Sequence, residues 1–284
     1  MKKSLLVTLA LSLVLVAAGC SNTTESTTEE VATEVEDATE AVEEDAAEAE
    51  DTAEADTEAN AETADAAAAE GVMSYADYVA ADVDTEVCVE TYVQAKQAWW
   101  EDNGVGQATF YTQNQDGAFF IYNLPCSQED YDKLVPGTKI KVTGFKSEWS
   151  GEVEIIDATY EIEDTDTFVA DAKDVTDLLG KDELIDYQNQ FVSFKGMTVE
   201  AANDAGDAFL YKWDGSGTEG DDLYFNVSLD GNTYSFTVES YLCDKDSDVY
   251  KAVQNLKVGD VVDMEGFLYW YEGVNPHITS VSVQ

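Results

Sequence analysis

The sequence predicts a mainly β protein: two tandem β units with short helices, set behind a long acidic segment. Three observations predict it. Self-comparison finds one β-rich pattern twice, at a constant offset of 122 residues. Around each copy, apolar and polar residues alternate with the period of two expected of half-buried strands, punctuated by Gly and Asp-Gly turns. Composition also breaks sharply at Gly71. Residues 21–70 hold 19 acidic residues, no Lys or Arg, and no Phe, Tyr, Trp, Leu or Ile, whereas aromatic and branched apolar residues dominate afterwards.

The chain opens with Lys2 and Lys3, an uncharged apolar run from Leu5 to Ala18, and small residues up to Cys20. That order is the layout of a secretory signal, and the run is short for a membrane-spanning helix, which needs ~20 residues. Val16-Ala17-Ala18-Gly19-Cys20 resembles the lipobox of bacterial lipoproteins, with Ala17 where Leu is commoner. The resemblance implies cleavage after residue 19 and a palmitate-type acyl anchor on Cys20. The protein is then expected at a cell membrane, held by its lipid on the extracytoplasmic face. Ser21, instead of Asp, implies no retention at an inner membrane where a cell has two. An ordinary secreted protein with an incidental cysteine is the competing reading. Residues 20–70 read as the lipidated cysteine and a disordered acidic linker, because they lack apolar groups to offset the entropy of ordering. A cation- or protein-binding tail is the sharper alternative.

Residues 71–284 carry 12 Lys and no Arg against 41 acidic residues, a net charge of −29. In copy one, strands are expected at 87–93, 108–113 and 118–123, the last two joined by a turn containing Asp116-Gly117. A helix at 127–134 and strands at 138–146 and 153–162 follow. Copy two predicts strands at 191–200, 208–213, 223–229 and 233–241, a helix near 246–256, and a final hairpin. It therefore has one strand more or a longer hairpin. Further short helices are expected at 75–81 and 172–179. The repeat itself runs Leu134…Gly137…Gly144-Phe145…Trp149…Gly151 and Leu256…Gly259…Gly266-Phe267…Tyr271…Gly273.

This strand order, with a helix between the third and fourth strands, resembles the OB-fold, a five-stranded Greek-key barrel. The resemblance implies two tandem OB-fold-like barrels, at 71–165 and 166–284; a pair of β-sandwiches is the competitor. It also implies a ligand surface on strands two and three and on the loops joining strands one–two and four–five. Those loops hold the candidate ligand-binding residues Trp99, Trp100, Trp149, Tyr269, Trp270 and Tyr271. Trp99 and Trp100 are adjacent, so an extended chain sends them opposite ways. Filling of the barrel ends is the bland reading for each.

The charge speaks against nucleic acid, because a phosphate backbone needs Lys or Arg. A local patch at Lys139, Lys141 and Lys146 is the exception to weigh, though each reads better as a solvated strand face. No catalytic constellation emerges. His277, the only histidine, reads as a surface loop residue, and no two carboxylates single themselves out. Asp244, Asp246 and Asp248 imitate a calcium loop but lack its Gly and terminal Glu. The Gly- and acid-rich loop 214–222 is a better cation candidate, and solvated hairpin its plainer reading. No metal or cofactor is expected. Cys88, Cys126 and Cys243 remain after lipidation, either as small buried residues or with Cys88 and Cys126 paired. The expected function is thus a non-enzymatic surface lipoprotein displaying binding modules for a neutral glycan or envelope component. A protein-scaffolding lipoprotein and an envelope hydrolase using carboxylates are the alternatives.

The anchoring expectation has a direct test. Cys20→Ala is expected to shift the protein from the detergent phase to the aqueous phase, or to leave it as an uncleaved precursor. A processed mutant that still partitions with detergent would remove the lipid anchor.

Overall fold

The structure, a computed structural model, describes residues 71–284; the signal, Cys20 and the acidic linker lie outside the described residues. Copy one begins with helix α1 (Tyr75–Ala80), where the Ser74 hydroxyl accepts from the Asp77 N–H at 3.1 Å. Strands β1 (Glu86–Lys96), β2 (Trp100–Asp102), β3 (Val105–Gln113) and β4 (Ala118–Pro125) follow, then α2 (Gln128–Lys133), β5 (Thr138–Trp149) and β6 (Glu152–Thr167). Apart from the short β2, these strands close a ring: β1 pairs with β3, β3 with β4, β4 with β6 in parallel, β6 with β5, and β5 with β1. That is the OB order, including the helix between the third and fourth barrel strands.

Copy two runs through β7 (Lys173–Asp174), 3-10 turns at Thr176–Leu178 and Asp182–Tyr187, β8 (Phe191–Glu200), β9 (Leu210–Tyr211), β10 (Leu223–Leu229), β11 (Asn232–Val238), α3 (Asp248–Gln254), β12 (Val261–Phe267) and β13 (His277–Val283). It closes the same ring through β8–β10, β10–β11, parallel β11–β13, β13–β12 and β12–β8. The protein is mainly β, built as two tandem OB-fold-like barrels. Among the described residues, no helix is long and apolar enough to cross a membrane.

Each barrel is filled by its inward-facing residues. Val89, Phe110, Ile121, Ile140 and Ile155 pack in the first, and Phe194, Phe225, Phe236, Met264 and Ile278 in the second. α3 adds Val249, Tyr250 and Val253 to the second core. Ser127 and Ser247 cap α2 and α3 by accepting from Asp130 N–H and Tyr250 N–H, satisfying donors that a helix start leaves orphaned.

Four expectations change. The helix at 172–179 is a single 3-10 turn, ended at Gly180 with φ 76°. The strand at 208–213 shrinks to Leu210–Tyr211, because Lys212 turns to φ 62° and carries Trp213 off the ladder. The second barrel has no surplus strand, since β9 has its counterpart in β2. Lys146 is not on a solvated face. It is buried, and its Nζ donates to the carbonyls of Tyr78, Val79 and Ala81 at 3.0, 2.9 and 2.7 Å. It therefore pins the C-terminal end of α1 to the barrel, as a cation there should. Lys139 is tied to Glu90 at 2.9 Å and Glu163 at 3.1 Å. Cys88, Cys126 and Cys243 are all free thiols, with Cys126 buried.

The repeated glycines mark close backbone approach. Gly144 and Gly266 each sit where the register of the β5–β6 or β12–β13 ladder slips. A Cβ on Gly144 would lie 2.8 Å from the Ile156 carbonyl oxygen. On Gly266 it would lie 2.7 Å from Ile278 Cα and strike the His277 carbonyl oxygen. Backbone cannot yield as a side-chain tip can. Gly266→Ala is expected to lower unfolding free energy by about 1–3 kcal/mol in urea titration, the range for overpacking. Wild-type stability in that variant would contradict the tight crossing.

Candidate functional site

The site is built on a seam between the barrels. β3 from Ala108 to Gln113 and β4 from Ala118 to Ile121 are buried at every position. Successive strand residues point to opposite faces. Phe110, Phe119 and Ile121 thus enter the first core, while Tyr111 and Phe120 meet the second barrel. The Tyr111 ring stacks on Phe267 at 4.5 Å, and its hydroxyl lies 2.6 Å from His277 Nδ1. Burial pushes His277 down to about 3 and Tyr111 well above its usual value. The imidazole is therefore neutral, and its Nδ1 and the phenol share one hydrogen bond. His277 is accordingly no surface loop residue: it opens β13, buried, with its ring over Tyr269 at 4.3 Å.

Glu152 is the second seam group. It is fully buried, and its Oε2 accepts from the Trp270 N–H at 2.9 Å and from Gln188 Nε2 at 3.2 Å. Burial pushes its carboxyl up to about 8. Its Oε1 and the Oδ1 of Asn189 are both buried acceptors without a donor, and the Asn189 side chain acts on this carboxyl. Burial outweighs the hydrogen bonds from Asn189, Trp270 and Gln188, which favour the charged form, so the residue serves as a neutral acid. Asn189 Nδ2 donates to the Val153 carbonyl at 3.0 Å, and Gln113 Oε1 accepts from the Phe191 N–H at 2.8 Å.

Where the seam ends, the loops of both barrels open onto one groove of about 1190 Å³. The one–two loop of the first barrel supplies Trp100, and its four–five turn supplies Trp149. From the second barrel come Trp213, Tyr269 and Tyr271, and β4 adds Tyr122. Trp213 is 70% exposed, Trp149 54% and Trp100 45%. Trp149 and Tyr271 face each other at 5.0 Å across the barrels. Asp222, Glu239 and Glu272 are the charged lining residues. Glu239 lies largely buried at the end of β11. Its Oε2 accepts from Gln97 Nε2 of the other barrel at 3.1 Å, and burial followed by the Asp222 charge pushes it up to about 7. Gln97, Asn123 and Asn275 add amides. A site of this kind can stack rings and accept hydrogen bonds from hydroxyl or amine groups.

Of the six candidate aromatics, the structure brings Trp100, Trp149, Tyr269 and Tyr271 together in the groove. Trp99 turns away. Its Nε1 donates to the Cys126 carbonyl at 3.1 Å, and it packs on the first core. Trp270 packs on the second core and over Gly151. Trp213, Tyr122, Tyr224, Tyr241 and Glu239 escaped the sequence reading. Trp213 was legible only as a strand end, although the Gly-rich stretch beside it signals a loop. That stretch is self-satisfied: Asp214 Oδ1 accepts from Ser216 N and Oγ, and Asp221 Oδ2 from Thr218 N.

No protein-family model and no curated protein matches this chain. Solved structures do. One is a murine DNA-binding protein bound with double-stranded DNA, 11% identical, TM-score 0.32, over 69% of this chain and 94% of that one. The p204 HINb domain is 11% identical, TM-score 0.32, over 72% and 99%. A replication protein A heterotrimer bound to single-stranded DNA is 11% identical, TM-score 0.30, over 70% and 49%. These likenesses do not assign a ligand. They do correct one expectation, the exclusion of nucleic acid, since structures of similar fold include DNA complexes. The exclusion rested on net charge, which sums the whole domain, whereas a ligand feels mainly charges within about 10 Å at 0.1 M salt.

The seam yields a pH test. The folded pKa of Glu152, about 8, lies above its ordinary 4.5. Its stabilising contribution is therefore complete below the unfolded value and is lost as pH rises through the folded one. Tm is expected to fall between about pH 5 and pH 9, and Glu152→Gln to flatten that fall. Glu152→Ala, leaving the Trp270 N–H unpaired and Gln188 Nε2 with only the Gly151 carbonyl, is expected to lower stability by about 1–3 kcal/mol. A Glu152→Gln profile parallel to wild type would refute the neutral acid.

Proposed function

We propose that the protein is a lipid-anchored envelope lipoprotein whose tandem OB-like barrels hold a glycan in the aromatic groove between them. The carrying observation is convergence. Loops that OB-folds use for ligands, from both barrels, end in exposed Trp and Tyr around one cavity backed by hydrogen-bonding groups. Pyranose rings present apolar faces that stack on aromatics and hydroxyls that donate to carboxylates and amides. Ligand pockets share this combination of apolar wall and few polar groups. The lipobox-like signal supports the location, and the acidic segment supports a spacer between Cys20 and the first barrel.

The test is tryptophan fluorescence titration of residues 71–284 with a panel of envelope oligosaccharides. Saturable binding is expected, weakened about tenfold, near 1.4 kcal/mol, by Trp100→Ala, Trp149→Ala or Trp213→Ala. Binding unchanged by all three substitutions, or no binding of any panel member, would overturn the reading. Single-stranded DNA is titrated in parallel: saturable binding lost in the same variants would replace glycan by nucleic acid. New reducing ends would replace binding by hydrolysis.

A further inference from the structure

We infer that the groove prefers saccharide chains bearing free amino groups over their neutral, N-acylated counterparts. The inference rests on the glycan reading of the same groove and specifies its ligand class. Glu239 and Asp222 stand together at one side of the cavity. Glu239 uses Oε2 for Gln97, and Asp222 uses Oδ1 for Ser240 N at 2.8 Å and Ser240 Oγ at 2.7 Å. The Glu239 carboxyl also draws on the backbone N–H groups of Tyr241 and Leu242, whereas Asp222 has its hydrogen bonds on Oδ1, leaving Oδ2 for a ligand. Asp222 Oδ2 is not sealed from solvent, so it faces a ligand with the Glu239 carboxyl beside it.

The setting suits an ammonium group. No Lys or Arg lines the groove, so Asp222 has no protein counter-ion there, and Glu239, raised to about 7 by burial and by Asp222, gives up its proton as an ammonium group seats beside it. Tyr224 stands beside both, Tyr241 beside Glu239, and Trp213 lines the same groove, and aromatic faces attract cations. A hydrogen bond from ammonium to carboxylate is about twice as strong as one between neutral groups. Glu239 also receives its bond from the first barrel, so the amine would seat at the seam, where both barrels hold the acceptor in place. A neutral sugar satisfies the same oxygens with hydroxyls but leaves the negative charge uncompensated.

The experiment compares chitosan and chitin oligomers of equal length, at a pH where the chitosan amines are protonated, by calorimetry on residues 71–284. Chitosan is expected to bind at least tenfold tighter. Glu239→Gln and Asp222→Asn, which keep size, are expected to reduce that ratio to about threefold or less. Equal affinity for the two oligomers, both weakened by Trp100→Ala, would sink the amine preference and leave the glycan reading standing. A preference that survives both carboxylate substitutions would trace it to the overall negative charge and overturn the assignment. Binding of neither oligomer, while a different saccharide binds, would likewise overturn it; binding of no saccharide would remove the glycan reading with it.

Discussion

The seam between the barrels is held by groups that water does not reach, and that burial sets their protonation. His277 is kept neutral and shares a hydrogen bond with Tyr111; Glu152 is kept protonated by burial while its Oε2 accepts from Trp270 and Gln188. A charged imidazole or a bare carboxylate in either place would carry the full desolvation penalty of a buried charge. Around these two, Tyr111 stacks on Phe267, and Gln188, Asn189 and Gln113 close backbone groups across the barrels. Were the seam to slip, the groove would open, because its walls belong to different barrels.

The seam also explains where the ligand surface went. An OB barrel commonly offers strands two and three to its ligand. Here β3 and part of β4 are spent on the second barrel, and only Phe120, Tyr122 and Asn123 still reach the cavity. The loops carry the rest. The chain thus exchanges an open sheet face for a two-sided cleft, in which aromatic walls face each other and a few carboxylates and amides sit between. Function on such a scaffold belongs to the site and not to the fold.

The internal repeat is used unequally. Trp149 and Tyr271 occupy the same position in the two copies, and the structure sets them against each other at the rim. Gly144 and Gly266 do the same structural work twice. Yet Glu152 corresponds to Val274, and Ile155 to His277. The seam residues therefore have no counterpart in the other copy. Two barrels meeting through non-equivalent surfaces require this: each face must complement a different partner.

The sequence by itself determined the class of fold, the repeat and most strands, because those follow from period-two burial and turn chemistry within short windows. β8 and β10 occupy the residues that alternation alone marks, 191–200 and 223–229. It also marked the loops that carry Trp100, Trp149, Tyr269 and Tyr271. What it did not determine were contacts between residues far apart in the chain. Glu152 looked like one of many carboxylates until Gln188 and Trp270 closed over it. His277 looked exposed until Tyr111, 166 residues away, reached it. Trp213 and Glu239 became groove residues only when Lys212 broke the strand and Gln97 arrived from the other barrel. Burial and protonation depend on what covers a group, and only the tertiary structure decides that.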